Sequence, residues 1–408
     1  MMRAYYDKSK VDCFDKLFGS LWIGSHPTPL RNHYQVLYLD FSRIGGNIDV
    51  LEKEFDSYCC IQLNDFIDTY RNDYPKEMVD EFLRAENATR KLNILLNMSR
   101  KYDQPLYLII DEYDNFTNVV LSEHGEAIYH NMTHAAGFYR EVFKKFKGMF
   151  ERIFLTGVSP VTLDDLTSGF NIGWNISMAP ELDKMLGFST EDVRQMFTYF
   201  KEAGQLPADC DIEAMIAEMK PWYDNYCFAK ECLESDVRVF NCDMVLYYLR
   251  NYISYKHSPE IMLDPNTKTD YKKLNMLIQL DKLDGDRKGV MMEIIEKGEI
   301  AATLIPSFSA NEMTDPETFP SLLFYYGMLT IKGKYGSMLS LGIPNNNVRM
   351  QYYNYILKQY AQYKIVNVNK LQIAFVKMSL DGLWQEPLQY MADCYKQLSS
   401  VRDSIEGE

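Results

Sequence analysis

The chain is 408 residues long, 47% hydrophobic and 25% charged, with a formal net charge of −14. Such a length and composition read as roughly two to three domains of a globular protein with ample core. The acidic balance excludes a protein whose whole surface binds nucleic acid, and leaves room only for a local basic patch. No apolar run approaches the roughly 20 residues of a membrane helix. There is no C-x-x-C pair and no secretory leader, so the sequence reads as cytoplasmic with free thiols. Cys227, Cys232 and Cys242 have neither zinc spacing nor a nearby His.

Met1–Tyr6 reads as helix already under way, and Asp7–Gly19 as a broken helical stretch. Trp22–Pro29 is a loop by its Gly and Pro content. Tyr34–Phe41 reads as a buried strand that ends in Asp40 and Ser42. Helices are predicted over Asp49–Tyr70 and, as one or two pieces, over Met78–Tyr102.

After the turn Asp103-Gln104-Pro105, Leu106–Ile110 is a short apolar run that stops at Asp111-Glu112-Tyr113-Asp114. This is the pattern of a strand buried on both faces of a parallel sheet, with acids at its carboxyl end. Ligands of open α/β sheets bind just outside that end. There Asp111 suits a Mg²⁺, directly or through water, and Glu112 suits orienting or deprotonating an attacking water. The plainer reading is that strand ends carry acids for solubility.

Glu123–His134 holds three of the six His among polar residues and reads as solvated. Phe138–Phe150 is amphipathic and basic, with Tyr139, Val142, Phe143 and Phe146 on one side. Arg152–Val158 is a third strand, which sets Thr156 and Ser159 beside Asp111 and Glu112 if the two strands are neighbours. Ile176–Met178 reads as a short fourth strand. Strand, helix, strand, helix, strand is the order of a parallel α/β fold.

Ser189 opens a helix as its N-cap, with Glu191 and Asp192 in the first turn. Further helices are expected over Ile212–Met219, Asp243–Tyr255 and Lys272–Leu280. Lys220–Phe228 is an aromatic-rich turn that reads as a packed hinge. Helix Phe319–Gly327, strands Met328–Ile331 and Ser337–Ile343, and a helix from Val348 outline a winged-helix-like unit. Its first helix has no Lys or Arg, which favours an interaction module over DNA binding.

Several stretches together resemble the bacterial family of predicted AAA-ATPase proteins: Ala4–Asp7, Tyr38–Ser42, Ile110–Asp114, Phe154–Ser159, Leu186–Ser189, Trp222–Phe228 and Phe324–Ile331. Their order and spacing are more specific than any one of them. The resemblance implies a P-loop NTPase-like parallel sheet followed by a helical region with the winged-helix-like unit. It divides the chain into an α/β core (1–185), a helical lid-like region (186–270) and a helical, winged-helix-like region (271–408). It makes the acidic strand the Walker B strand, with Asp111 the Mg²⁺-side acid, Glu112 the water-activating acid, and Thr156 or Ser159 the sensor. ATP and Mg²⁺ are the ligands it implies, with a protein partner or a second copy as further company.

The sequence departs from the family at two places. Asn225 stands where the family has Gly, and Asn tolerates the left-handed conformation such a turn needs. No G-x-x-x-x-G-K-[ST] occurs, since Gly333-Lys334 is followed by Tyr335. The phosphate cradle, its Lys and its Mg²⁺-binding hydroxyl are therefore absent, and with them the strand that feeds the loop. The expectation is an incomplete sheet in a truncated member of the family, without its usual C-terminal nuclease-like domain and inactive as it stands. The rival readings are a non-catalytic scaffold and a Mg²⁺-dependent nuclease on Asp111, Glu112 and Asp114. Arg140 and Arg152 are the candidates for an arginine finger.

Overall fold

Three short apolar runs, each ending at a polar residue or just before one, build the first sheet. They are β1 (Gln35–Asp40), β2 (Leu106–Asp111) and β3 (Arg152–Leu155). All are parallel, in the order β1-β2-β3. In the computed structural model the described residues are 1–45, 50–115, 120, 126–133, 137–158, 160, 173–235, 237–264, 287–309, 312, 315–362 and 367–398. The chain divides into two compact units. The first comprises Met1–Ser177, Gln279–Arg287 and Ala302–Leu329; the second comprises Met178–Ile278, Lys288–Ala301 and Thr330–Glu408.

In the first unit β2 is the central strand, and Leu106–Ile110 are all buried. Burying a side chain such as Leu or Ile contributes about 1.5–3 kcal/mol relative to leaving it in water, so the run can only be interior. Register sets Asp40 opposite Asp111 at the carboxyl ends of β1 and β2. Helix Leu51–Thr69 buries Leu51, Phe55, Cys59, Leu63 and Phe66. That spacing is one stripe of a helix. The predicted 78–102 segment is two helices, Lys76–Arg84 and Ala88–Lys101. Helix Phe138–Phe146 buries Tyr139, Val142, Phe143 and Phe146, the four residues expected. β3 differs from its neighbours: Arg152 is exposed and Ile153, Phe154 and Leu155 are only half-buried.

Two local readings change. Ile176–Met178 forms no strand, and four residues of the loop after Leu21, Trp22–Ser25, form a helical turn. Three residues are too few to hold a strand without an adjoining partner, and 176–178 has none among the described residues. The helix expected over 272–280, Ser159 and the tail 399–408 lie outside the described residues.

The second unit has a helical core of buried residues. Helix Thr190–Glu202 begins at Ser189 with a capping box: the Ser189 side chain accepts from the Asp192 N–H and the Asp192 side chain accepts from the Ser189 N–H. It contributes Val193 and Phe197. Ile212–Tyr223 contributes Met215, Ile216, Met219 and Tyr223, and Cys242–Tyr255 contributes Met244, Val245, Tyr248 and Leu249. The late hairpin is β5 (Thr330–Tyr335) against β6 (Met338–Gly342), antiparallel, with Gly336 at φ +60° in its two-residue turn. A third strand, β4 (Glu299–Ala302), extends the sheet in the order β4-β6-β5. Nothing in its short Glu-Ile-Ala-Ala run marks it as strand. Helix Asn346–Gln362 follows the hairpin, and two more helices, Val368–Asp381 and Gln385–Leu398, close the described chain.

Candidate functional site

The acids of β2 and the polar end of β3 meet. β3 runs beside β2 in register through Ile110 and Leu155. The Thr156 N–H continues the ladder to the Ile110 carbonyl (2.9 Å), and the Tyr113 N–H donates to the Thr156 carbonyl (3.0 Å). Thr156 Oγ1 donates to Asp111 Oδ1 at 2.5 Å. The other carboxylate oxygen, Oδ2, accepts from the Tyr38 hydroxyl of β1 at 3.1 Å. Three parallel strands thus clamp one half-buried carboxylate at their common rim.

Tyr38 is held protonated for this role. Burial, and then its donation to Asp111, push the phenol up to about 12. Arg3 lies over the same ring, with its guanidinium carbon 5.8 Å from the centroid. Tyr38 carries no site signal in sequence. What brings it to Asp111 is parity: Tyr38 and Asp40 share a face of β1, and Asp40 is the register partner of Asp111. Asp40 itself is engaged locally. It accepts from the Ser42 N–H at 3.1 Å, the Ser42 hydroxyl at 2.6 Å and Arg43 Nε at 3.0 Å.

Glu112 is half-buried and has φ +49°. A non-glycine residue in the left-handed region costs on the order of 1–2 kcal/mol. The strand stops here because that φ reverses the chain into a tight turn, closed by the Asn115 N–H on the Glu112 carbonyl (3.1 Å). Asp114 is fully buried, and its Oδ1 accepts from the Val158 N–H at 3.1 Å. Gly157 is required beside it, since a Cβ there would stand 2.4 Å from Tyr113 Cε1 and 2.5 Å from Asp114 Oδ1. The Tyr139 hydroxyl donates to the Tyr113 carbonyl, which anchors the turn from helix Phe138–Phe146. Burial raises both tyrosines well above their ordinary range.

Asp111, Glu112 and Thr156 are therefore at one strand end. Ser159 lies outside the described residues, as do His124 and His134. Arg152 opens β3 and so sits at the far end of the strand from Thr156. A strand advances about 3.3 Å per residue, which removes Arg152 from the rim. Arg140 lies in helix Phe138–Phe146, with its Nε buried and without a hydrogen-bond partner among the described residues.

The rim suits one hydrated cation better than a fully liganded one. Among the described residues no group of three or more His, Cys, Asp or Glu could hold a metal ion. Asp111 offers one carboxylate, both of whose oxygens already accept a hydrogen bond, so an ion here would keep most of its water, as Mg²⁺ does. Among the described residues no helix is long and apolar enough to cross a membrane.

A three-stranded parallel sheet flanked by helices defines the class of the first unit, a parallel α/β protein whose carboxyl rim carries acids and a hydroxyl. Residues 1–167 match the family model AAA-ATPase_like, described as Predicted AAA-ATPase. That stretch is similar to this family, and the match covers the motifs from Ala4–Asp7 to Phe154–Ser159 that carry the resemblance. No curated protein and no solved structure matches the chain.

Proposed function

We propose that the first unit supplies the magnesium and water side of a nucleoside-triphosphate site. The observation that carries this reading is the bond between Thr156 Oγ1 and Asp111 Oδ1 across neighbouring parallel strands. Asp111 would hold a hydrated Mg²⁺, Glu112 would orient the attacking water, and Thr156 with Tyr38 would fix the Asp111 carboxylate. When bound, the ion neutralises charge on the phosphates. The left-handed Glu112 supports the assignment, because strained residues persist where the surroundings over-determine them, and they cluster at active sites. The family match over residues 1–167 supports ATP as the nucleotide.

The same reading makes the 408 residues weak on their own, since they contain no G-x-x-x-x-G-K-[ST] loop to cradle phosphates. The half-exposed β3 edge is consistent with a sheet that takes a further strand there. Titration with a fluorescent ATP analogue and Mg²⁺ tests it. The expected result is binding no tighter than about millimolar, weakened further by Asp111→Asn, with no turnover. Tight binding indifferent to Asp111→Asn, or hydrolysis unchanged by Glu112→Gln, overturns it.

A second reading, a non-catalytic ATPase-like scaffold, is favoured by one observation: both oxygens of Asp111 are satisfied inside the fold. It expects partner capture unaffected by Asp111→Ala and Glu112→Ala.

A further inference from the structure

Helix Ala88–Lys101 contains Arg90, Lys91, Arg100 and Lys101 and no acid, in a chain whose net charge is −14. Lys91 is buried, and its Nζ donates to the Phe82 carbonyl at 2.9 Å. The exposed residues of the helix are Arg90, Asn93, Asn97, Arg100 and Lys101. They fall at i, i+3, i+7, i+10 and i+11, which is one stripe. All five side chains carry hydrogen-bond donors. Leu92, Leu95 and Met98 are buried on the core side of the same helix.

The neighbouring helix extends this face. Phe138–Phe146 packs against Ala88–Lys101, and Arg100 Nη2 donates to the Gly148 carbonyl just beyond its end, at 3.0 Å. Residues 138–148 hold Arg140, Lys144, Lys145 and Lys147 against one acid, Glu141, which is paired with Lys144 at 2.9 Å. Lys144 and Lys147 are exposed. Eight cations against one acid give the two segments a net +7, which leaves −21 on the rest of a chain at −14. At 0.1 M salt exposed charges are largely screened beyond about 10 Å, so the rest of the molecule does not cancel this face.

Helix stability accounts for only part of this. The dipole favours cations in the last turn, where Arg100 and Lys101 stand, and disfavours one in the first turn, where Arg90 stands. Among the described residues neither helix exposes a large apolar or aromatic side chain. Protein interfaces are depleted of Lys and built round an apolar core. Single-stranded nucleic acids are held by stacked aromatic rings. The phosphates of a duplex need neither, and take Arg, Lys and Asn. From Arg90 to Arg100 is about 15 Å of helix, the length of roughly four base pairs.

We propose that this face binds the phosphate backbone of a nucleic-acid duplex without reading its sequence. Fluorescence anisotropy with the full chain tests it, on short labelled DNA and RNA duplexes of mixed sequence and on labelled polyglutamate. At low salt the Kd for a duplex should be on the order of 10 µM. With Arg90, Arg100, Lys101, Lys144 and Lys147 each taking a phosphate, log K should fall against log salt with a slope of roughly −4 to −5. Arg90→Glu and Lys101→Glu should each weaken binding about tenfold and flatten the slope by about 1. Arg90→Glu puts an acid where the helix dipole favours one, so its loss of binding is not misfolding. Lys370→Glu makes the same charge change at an exposed position of the second unit and should leave binding unchanged. A preference between the two duplexes tells whether the backbone is that of DNA or of RNA. No binding of either duplex at low salt, polyglutamate bound as tightly as the duplexes, or unchanged affinity in Arg90→Glu and Lys101→Glu overturns the proposal.

Discussion

Each unit contains an aspartate followed by a residue in the left-handed region, and the two pairs are built differently. In the first unit it is Asp111 and Glu112 (φ +49°); in the second it is Asp224 and Asn225 (φ +81°). Asn enters that region at little cost because its short side chain can bond locally, whereas Glu gains no such relief. Asp224 is buried, and its Oδ1 accepts from the Asn225 N–H at 2.7 Å. Its carbonyl accepts from Asn345 Nδ2 at 3.0 Å. The following residues are held as firmly. Asp183 Oδ1 accepts from the N–H groups of Phe228 (2.7 Å) and Ala229 (2.8 Å). The Cys227 N–H donates to Thr330 Oγ1 at 2.8 Å. The second pair is thus a structural turn made from a tolerant residue, packed shut. At the first pair a less suitable residue occupies the strained position, at a rim where Asp111 is only half-buried. On the proposed reading, the contrast is between a turn kept for folding and one kept for a side chain.

The largest test of this contrast lies in the second unit. Asp183→Ala strips two backbone donors, one buried and one half-buried, of their acceptor. With bonds to a charged group at about 1.5–3 kcal/mol and a penalty for each orphaned donor, the loss should be about 3 kcal/mol. Denaturant titration should show the midpoint fall in proportion. A shift under about 1 kcal/mol would mean that water or a rearranged turn replaces the carboxylate, and the turn would lose its claim to a folding role. A smaller effect of opposite sign is expected at the first pair. Glu112→Gly relieves the left-handed strain and should raise stability by about 1 kcal/mol, net of the added freedom of the unfolded chain. Stabilisation of a protein that has lost its nucleotide response would mark Glu112 as retained for chemistry. Destabilisation would show that its side chain is itself part of the packing.

The sequence shows some of these features better than others, for a physical reason. Leu106–Ile110 is fully apolar and ends in acids, so a central parallel strand with acids at its tip follows from burial alone. The stripe Tyr139, Val142, Phe143 and Phe146 is legible by the same logic. Tyr38 as the partner of Asp111 is not, because it depends on the register between β1 and β2, which no local pattern encodes. The left-handed Glu112 is invisible too, since nothing in Asp-Glu-Tyr-Asp distinguishes a reversed chain from a continuing one. Asn225 can be anticipated, as Asn is the usual substitute for Gly at such a place. Asp114 reads with the rim acids because it adjoins them in sequence; its side chain goes to the core because Gly157 leaves room for it there. β4 offers no alternation to read in four residues. Ile176–Met178 misleads for the opposite reason: Ile, Ser and Met alternate as a strand would, with no partner beside them among the described residues.

The smallest expected effect concerns charge in the buried turn. Burial raises the Asp224 carboxyl above the ordinary aspartate range, opposed in part by its bond from the Asn225 N–H and by Lys220, Arg238 and Lys332 nearby. A carboxyl raised in the folded state binds its proton more tightly there than in the unfolded chain. Its contribution to stability is therefore fully present below the unfolded value, near 3.9, and is lost as pH rises through the folded value. Asn keeps an acceptor for the Asn225 N–H and carries no charge to bury. Asp224→Asn should accordingly be more stable than wild type at neutral pH, and the difference should shrink as pH falls through the carboxylate range. Parallel thermal melts of the two proteins across that range measure it. A difference that grows on acidification would mean that the surrounding cations outweigh burial, and that Asp224 works as their counter-ion.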